Sequence, residues 1–388
     1  MKKLILFYII LMSSIAVNAQ MTLEQIKADK NYGWFQHFEA IARYGGIMAH
    51  HEEMVDMTSH PFQALELRIG WQSYGTEDFH QKLNYPTYGI GVYSSRFHTK
   101  EIGNPSAIFG FIDFPVWRRD NKDKLDVSLG VGLSYEFNPY DQSENPGNIA
   151  IGSLVNVYFD LGVKYNINLG ERWSIRPGIN LSHFSNSSTT QPNLGLNMID
   201  INVGALYRFN PIKRFTKDRF PEYEPAINPT FIESVPDPIW KKNHWHIRGA
   251  TGVRQNKNTN DSYYGIGLAT IGYTHQVNYI YKIGGGVDLM FDSSIPTNFW
   301  EYKGETAPKN AAYTAGVNVS NALIVGRLEL ELQVGLYLWK QYRDDLYAYL
   351  RPGFKFFITE QLYTHVSFKT EYIGQAQYIE WGLGVYIF

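Results

Sequence analysis

From Leu125 to Phe137 the odd-numbered residues are Leu, Val, Leu, Val, Leu, Tyr and Phe, while the even-numbered ones are Asp, Ser, Gly, Gly, Ser and Glu. Strand side chains alternate faces with a period of two, so this segment has one apolar face and one small or charged face. In a membrane β-barrel the apolar face meets lipid and the polar face lines the lumen. Val155 to Tyr165 repeats the pattern, with Asn156, Asp160 and Lys164 on the polar face. Leu328 to Leu338 alternates Leu and Val with Glu329, Glu331 and Gln333, and Leu346 to Phe356 carries Arg351 and Lys355. Those bases can pair with Glu329 and Glu331 across neighbouring strands inside a barrel, as structural ion pairs.

Composition agrees. Aromatic residues make up 15% of the chain and charged residues only 19%. That balance, with many glycines, suits an outer-membrane barrel better than a soluble α/β enzyme. A net charge of −2 gives no argument for nucleic-acid binding. The chain has no cysteine, which excludes disulfides, thiolate metal sites and a cysteine-linked lipid anchor. Lys2 and Lys3, the apolar run Leu4 to Ile15, and Val17-Asn18-Ala19 read as a secretory signal peptide over 1–19.

The remainder divides at a proline-rich periplasmic linker, 211–242, which contains Pro211, Pro221, Pro225, Pro229, Pro236 and Pro238. Before it, in 20–210, strands are expected at 36–48, 62–74, 86–97, 105–118, 124–138, 153–168, 171–185 and 196–209. After it, in 243–388, they are expected at 243–254, 263–275, 277–292, 311–322, 326–339, 345–358, 361–371 and 376–388. Leu129-Gly130-Val131-Gly132-Leu133 is echoed by Leu332-Gln333-Val334-Gly335-Leu336, as in a duplication. The expected fold is all-β: one closed transmembrane antiparallel barrel of about 14–16 strands. Two tandem eight-stranded barrels are the alternative. Phe388 fits a terminal aromatic strand. An even strand count puts both chain ends in the periplasm, so the seventh strand, 171–185, runs outward and ends in the outer leaflet.

That strand carries the chemistry. Its odd residues Trp173, Ile175, Ile179 and Leu181 are apolar, and the same face continues with His183 and Ser185. A base and a nucleophile therefore share the lipid-facing side. His183-Phe184-Ser185-Asn186, followed by Gln191-Pro192-Asn193-Leu194-Gly195-Leu196-Asn197, resembles the signature of the outer-membrane lipid A deacylases of the PagL type. The resemblance covers roughly the first half of the mature chain, most strongly 171–209. The second half is expected to have no His-x-Ser site at the corresponding place.

The resemblance implies an eight-stranded barrel with a serine esterase site on its outer wall. It also implies lipid A of lipopolysaccharide in the cell outer membrane as substrate, and neither cofactor nor metal. It makes Ser185 the nucleophile, His183 the general base and Asn193 an oxyanion residue, with Asn186 and Ser188 placed to help. Ser187-Ser188 stand where the family has a small Ala-Gly pair. Asn197 stands where the family has a glutamate. It can orient the imidazole through its carbonyl oxygen but supplies no charge. Asp200, the nearest carboxylate, points to the lumen by parity. The rival expectation is a non-enzymatic barrel, a pore or a structural surface protein. His50-His51-Glu52-Glu53 lacks the spacing of a zinc helix and reads as a loop. His244 and His246 read as interfacial residues beside Trp245, and Gly284-Gly285-Gly286 lies in a strand and is no nucleotide loop.

Overall fold

A computed structural model describes residues 35–55, 58–73, 78–119, 123–209, 243–256, 259–341, 347–372 and 375–387. The expected signal peptide, the proline-rich linker and Phe388 lie outside them. The first barrel comprises β1 (Gln36–Met48), β2 (Phe62–Gln72), β3 (Thr87–Arg96), β4 (Gly103–Arg119), β5 (Asp123–Phe137), β6 (Asn156–Asn168), β7 (Trp173–Ser185) and β8 (Leu196–Arg208). The second comprises β9 (Asn243–Asn256), β10 (Thr259–Asn278), β11 (Tyr281–Asp292), β12 (Tyr313–Val325), β13 (Leu328–Trp339), β14 (Ala348–Phe357), β15 (Leu362–Tyr372) and β16 (Gln375–Ile387). Among the described residues the connections hold two short α-helices, α1 (Asp78–Lys82) and α2 (Ile295–Lys303), and a 3₁₀ turn at Glu52–Met54. Among the described residues no helix is long and apolar enough to cross a membrane; strands make the crossings.

Sixteen strands match the upper end of the expected count, and they close as the two tandem barrels of eight that stood as the alternative, not as one. The reason is the pairing of β8 with β1, which runs unbroken from His37 opposite Arg208 to Met48 opposite Asn197. β16 closes on β9 in the same way, from Trp381 opposite Thr251 to Ile387 opposite Trp245. Alternation is local and fixes each strand. It says nothing about which distant strand completes the circle.

Each lumen is filled by a charge network, as an eight-stranded interior only just holds its own side chains. In the first barrel Arg43 donates to Glu66 at 2.7 Å, Asp160 at 2.7 Å and Asp200 at 2.8 Å. Arg176 bridges Glu39, Asp113 and Asp126 at 2.8–2.9 Å. In the second, Lys355 meets Glu331 at 2.7 Å, the pairing the alternation suggests. Arg351 instead reaches Asp288 at 2.7 Å and Glu380 at 2.8 Å. His244 and His246 are also buried in this lumen, beside Tyr386, while Trp245 faces outward. This corrects their reading as interfacial: Trp245 alone has the outward parity.

Above the charged layer of the first barrel lies an apolar plug. Phe184, between His183 and Ser185, has 0% exposure and stacks on Tyr158 at 5.1 Å, with Phe137 edge-on at 5.3 Å. Ile151, Leu196 and Met198 belong to the same cluster. With Phe184 anchored inward, its neighbours His183 and Ser185 must face out.

Candidate active site on the outer wall of the first barrel

Four cross-strand partners form one row on the outer wall. Phe159 of β6 lies opposite His183 of β7, His183 opposite Asn197 of β8, and Asn197 opposite Met48 of β1. Directly opposed residues have Cβ atoms about 4.5–5.5 Å apart, so short side chains can meet. His183 Nδ1 and Asn197 Oδ1 are 2.7 Å apart. An amide oxygen only accepts, so Nδ1 carries the proton and Nε2 keeps its lone pair. Leu181, Ile199, Ile201 and Leu161 continue the exposed outer face below this row.

The other half of the Asn197 amide is also engaged. Its Nδ2 lies 3.3 Å from His50 Nδ1, and His50 Nε2 lies 3.0 Å from the Leu194 carbonyl. The Leu194 oxygen requires N–H at Nε2, which leaves Nδ1 to accept from Asn197. His50 thus holds the amide with its oxygen toward His183. The segment 50–53, read from sequence as a plain loop, brings a second histidine to the site; among the described residues no cluster could hold a metal.

Ser185 is 5% exposed. Its Oγ accepts from Asn193 Nδ2 at 2.9 Å and from the Ser187 N–H at 3.0 Å, and donates toward Asn193 Oδ1 at 3.3 Å. Asn193 is fixed in turn by the Asn186 N–H at 3.0 Å. Asn193 therefore contacts the Ser185 hydroxyl through both atoms of its amide. The Asn186 side chain turns from the hydroxyl to Ser153 Oγ and the Thr190 carbonyl, both at 2.9 Å. Ser188 makes its contacts elsewhere, and the backbone donor at the hydroxyl belongs to Ser187. Among the described residues no hydrogen bond joins His183 to Ser185. Resting hydroxyls are often held this way, and the nucleophile–base bond tightens with substrate bound.

The loop between β7 and β8 is shaped for these contacts. Ser187 and Ser188 have φ values of 52° and 61°, a left-handed conformation uncommon outside glycine. Gly195, at φ 75°, meets both needs at its position: a Cβ there would be strained and would lie 2.8 Å from His183 Cε1. The β5–β6 loop supports the same segment, with the Gly195 N–H donating to Ala150 O at 3.0 Å.

Family comparison matches both halves of the chain. Residues 65–205 match the family described as lipid A 3-O-deacylase (PagL), and residues 243–388 match the acyloxyacyl hydrolase C-terminal domain. The chain belongs to the PagL-type family. As a PagL-type protein it is an outer-membrane barrel. Solved structures similar to it include the outer membrane enzyme PagL, at 13% identity and TM-score 0.31, covering 43% of this chain and 97% of that one. Neisserial surface protein A matches at 7% identity and TM-score 0.30, covering 45% and 96%. A triple mutant of the Rhodopseudomonas blastica porin matches at 8% and 0.18, covering 91% and 100%. No curated protein matches.

Proposed function

We propose that this PagL-type chain is a serine esterase that removes an ester-linked acyl chain from lipid A in the outer leaflet. The observation that carries the reading is the His183–Asn197 hydrogen bond of 2.7 Å on the lipid-facing wall, one residue removed from Ser185 on the same face. The acyl chain lies along the apolar surface of Leu181, Ile199 and Ile201, with its ester at the level of the row. Ser185 Oγ attacks the ester carbonyl carbon while His183 Nε2 takes the hydroxyl proton. The carbonyl π pair moves onto oxygen, where the Ser187 N–H and Asn193 Nδ2 are placed to donate; such donors are typically worth about 3 kcal/mol each. Collapse breaks the bond to the sugar oxygen, which receives the proton from His183. Water, deprotonated by the same Nε2, then cleaves the acyl-serine ester.

Asn197 in place of an acid is compatible with this cycle. In a serine protease an Asp-to-Asn change costs about 10⁴ in kcat because the imidazole adopts the wrong tautomer. Here His50 engages the amide NH₂, so the oxygen faces His183 and the required tautomer is kept. What is missing is the negative charge beside the imidazolium, so a slower turnover than that of a carboxylate-assisted site is expected.

The test is mass spectrometry of lipid A from cells expressing the wild type or Ser185→Ala. Loss of one acyl chain only with the wild type is the expected result. Retained deacylation in Ser185→Ala would refute serine catalysis. Unchanged lipid A with well-assembled protein in both would favour the non-enzymatic barrel.

A further inference from the structure

We propose that the second barrel braces the esterase site of the first, and that Gln255 is the positioning residue through which it does so. The proposal rests on the serine-esterase reading above. The backbone donor at Ser185 Oγ is the Ser187 N–H, which reaches it from a left-handed residue followed by a second one. Each such residue costs of the order of 1–3 kcal/mol and persists only where its surroundings over-determine it. Within the loop the turn is closed by the Thr189 N–H and hydroxyl, which both donate to the Asn186 carbonyl, at 3.2 and 3.0 Å. Asn186 Nδ2 also donates to the Thr190 carbonyl at 2.9 Å and the Thr190 N–H to Asn186 Oδ1 at 3.4 Å, while Ser188 itself is bonded from the other barrel.

Gln255, at the outer end of β9, bonds the loop twice. Its N–H donates to the Ser188 carbonyl at 2.8 Å, and its Oε1 accepts from the Gln191 N–H at 2.8 Å. Ser188 Oγ adds a bond to the Ala376 carbonyl of β16 at 3.2 Å. Gln255 is only 3% exposed, so water does not compete readily for these bonds. One bond from its backbone and one from its side chain grip the loop on both sides of Thr189 and Thr190, and together they restrict the loop far more than one surface contact would. The second barrel has no exposed serine–histidine pair of its own in β15, and its contribution to this site is the rigid rim against which the oxyanion turn is set. Gln255 touches no reacting atom; its backbone acts through Ser188 and its side chain through Gln191, at the two ends of the turn that aims Ser187.

Full-length Gln255→Ala, which removes the Oε1 bond to Gln191 and keeps the backbone bond to Ser188, tests the side-chain half of this brace in detergent micelles with lipid A as substrate. The expected result is a kcat lowered about tenfold, less than the roughly 10²–10³ for outright loss of an oxyanion donor, with KM within about twofold because the acyl surface is untouched. Hydrogen exchange at the Ser187 amide, which Gln255 does not contact, should quicken about tenfold as the turn opens. Adding Ser188→Gly to Gln255→Ala should recover about threefold in kcat, since glycine adopts the left-handed turn freely. Unchanged kcat and unchanged exchange in Gln255→Ala would overturn the proposal. So would a loss of kcat that Ser188→Gly does not recover and that leaves Ser187 exchange as it was, which marks a general packing defect. If the wild type removes no acyl chain, the esterase reading falls, and Ser187 exchange decides the brace by itself.

Discussion

Asn197 faces His183 directly across the β7–β8 ladder and accepts from its Nδ1 at 2.7 Å, in the position where a carboxylate would stand. The contact sets which imidazole nitrogen is free for Ser185 and leaves the charge of the imidazolium without a counter-ion. Both statements can be tested at one position. Asn197→Ala removes the acceptor, so the ring loses its tautomer and orientation, and kcat should fall by about 10²-fold or more, approaching the 10⁴ of a mis-set triad. Asn197→Asp keeps the acceptor and adds charge, so its kcat should equal or exceed that of the wild type. Steady-state kinetics on lipid A in micelles compares the three; an Asn197→Ala enzyme as fast as the wild type would exclude Asn197 from the site.

His50 is expected to act only through Asn197. Without it the amide is free to turn its NH₂ toward His183, so His50→Ala should lower kcat by about tenfold, a fraction of the full tautomer penalty. Residues in one hydrogen-bond network are non-additive. In an Asn197→Ala background the His50 change should therefore have no further effect. A double-mutant cycle in kcat measures this, and additive losses would mean that His50 has a role apart from the amide.

What was legible in the sequence, and what was not, follows from the range of each signal. Strand parity is local, so β5, β7 and β13 could be read to within a few residues, and the lipid-facing side of Ser185 with them. The second half does carry a His-x-Ser in its seventh strand, His365-Val366-Ser367, which corrects the expectation that it has none there; its parity is the opposite one. His183 and Ser185 continue an apolar outer face, whereas His365 and Ser367 in β15 alternate with outward Thr364, Val366 and Phe368. They are buried in the lumen, where Ser367 donates to Glu380 at 3.0 Å. Barrel closure was not legible, because the β8–β1 pairing joins segments at opposite ends of the repeat. The same is true of His50, which approaches Asn197 only because β1 closes on β8. Ser187 was hidden for another reason: its contribution is a backbone N–H aimed by a left-handed turn, and no side-chain motif records that. Gln255 lies beyond the linker in a different barrel, with no periodic or compositional mark.

The lumen network should decide stability, and through it the site. Arg43 is held by Glu66, Asp160 and Asp200 and donates to Tyr158 Oη at 2.9 Å. Arg43→Met leaves those buried carboxylates without their shared partner, and breaking such a group typically costs about 3–5 kcal/mol. Arg254, near the rim, pairs with Asp292 at 3.4 Å with both side chains partly exposed, so Arg254→Ala should cost no more than about 1 kcal/mol. Urea unfolding in lipid vesicles compares the two, and equal losses would mean that the lumen pairs contribute no more than the rim pair. Activity should separate them as well. Tyr158, released from Arg43, is the ring on which Phe184 stacks, and Phe184 sets the outward facing of His183 and Ser185. Deacylation by Arg43→Met should therefore fall even under conditions where the barrel remains folded, while Arg254→Ala stays near the wild-type rate.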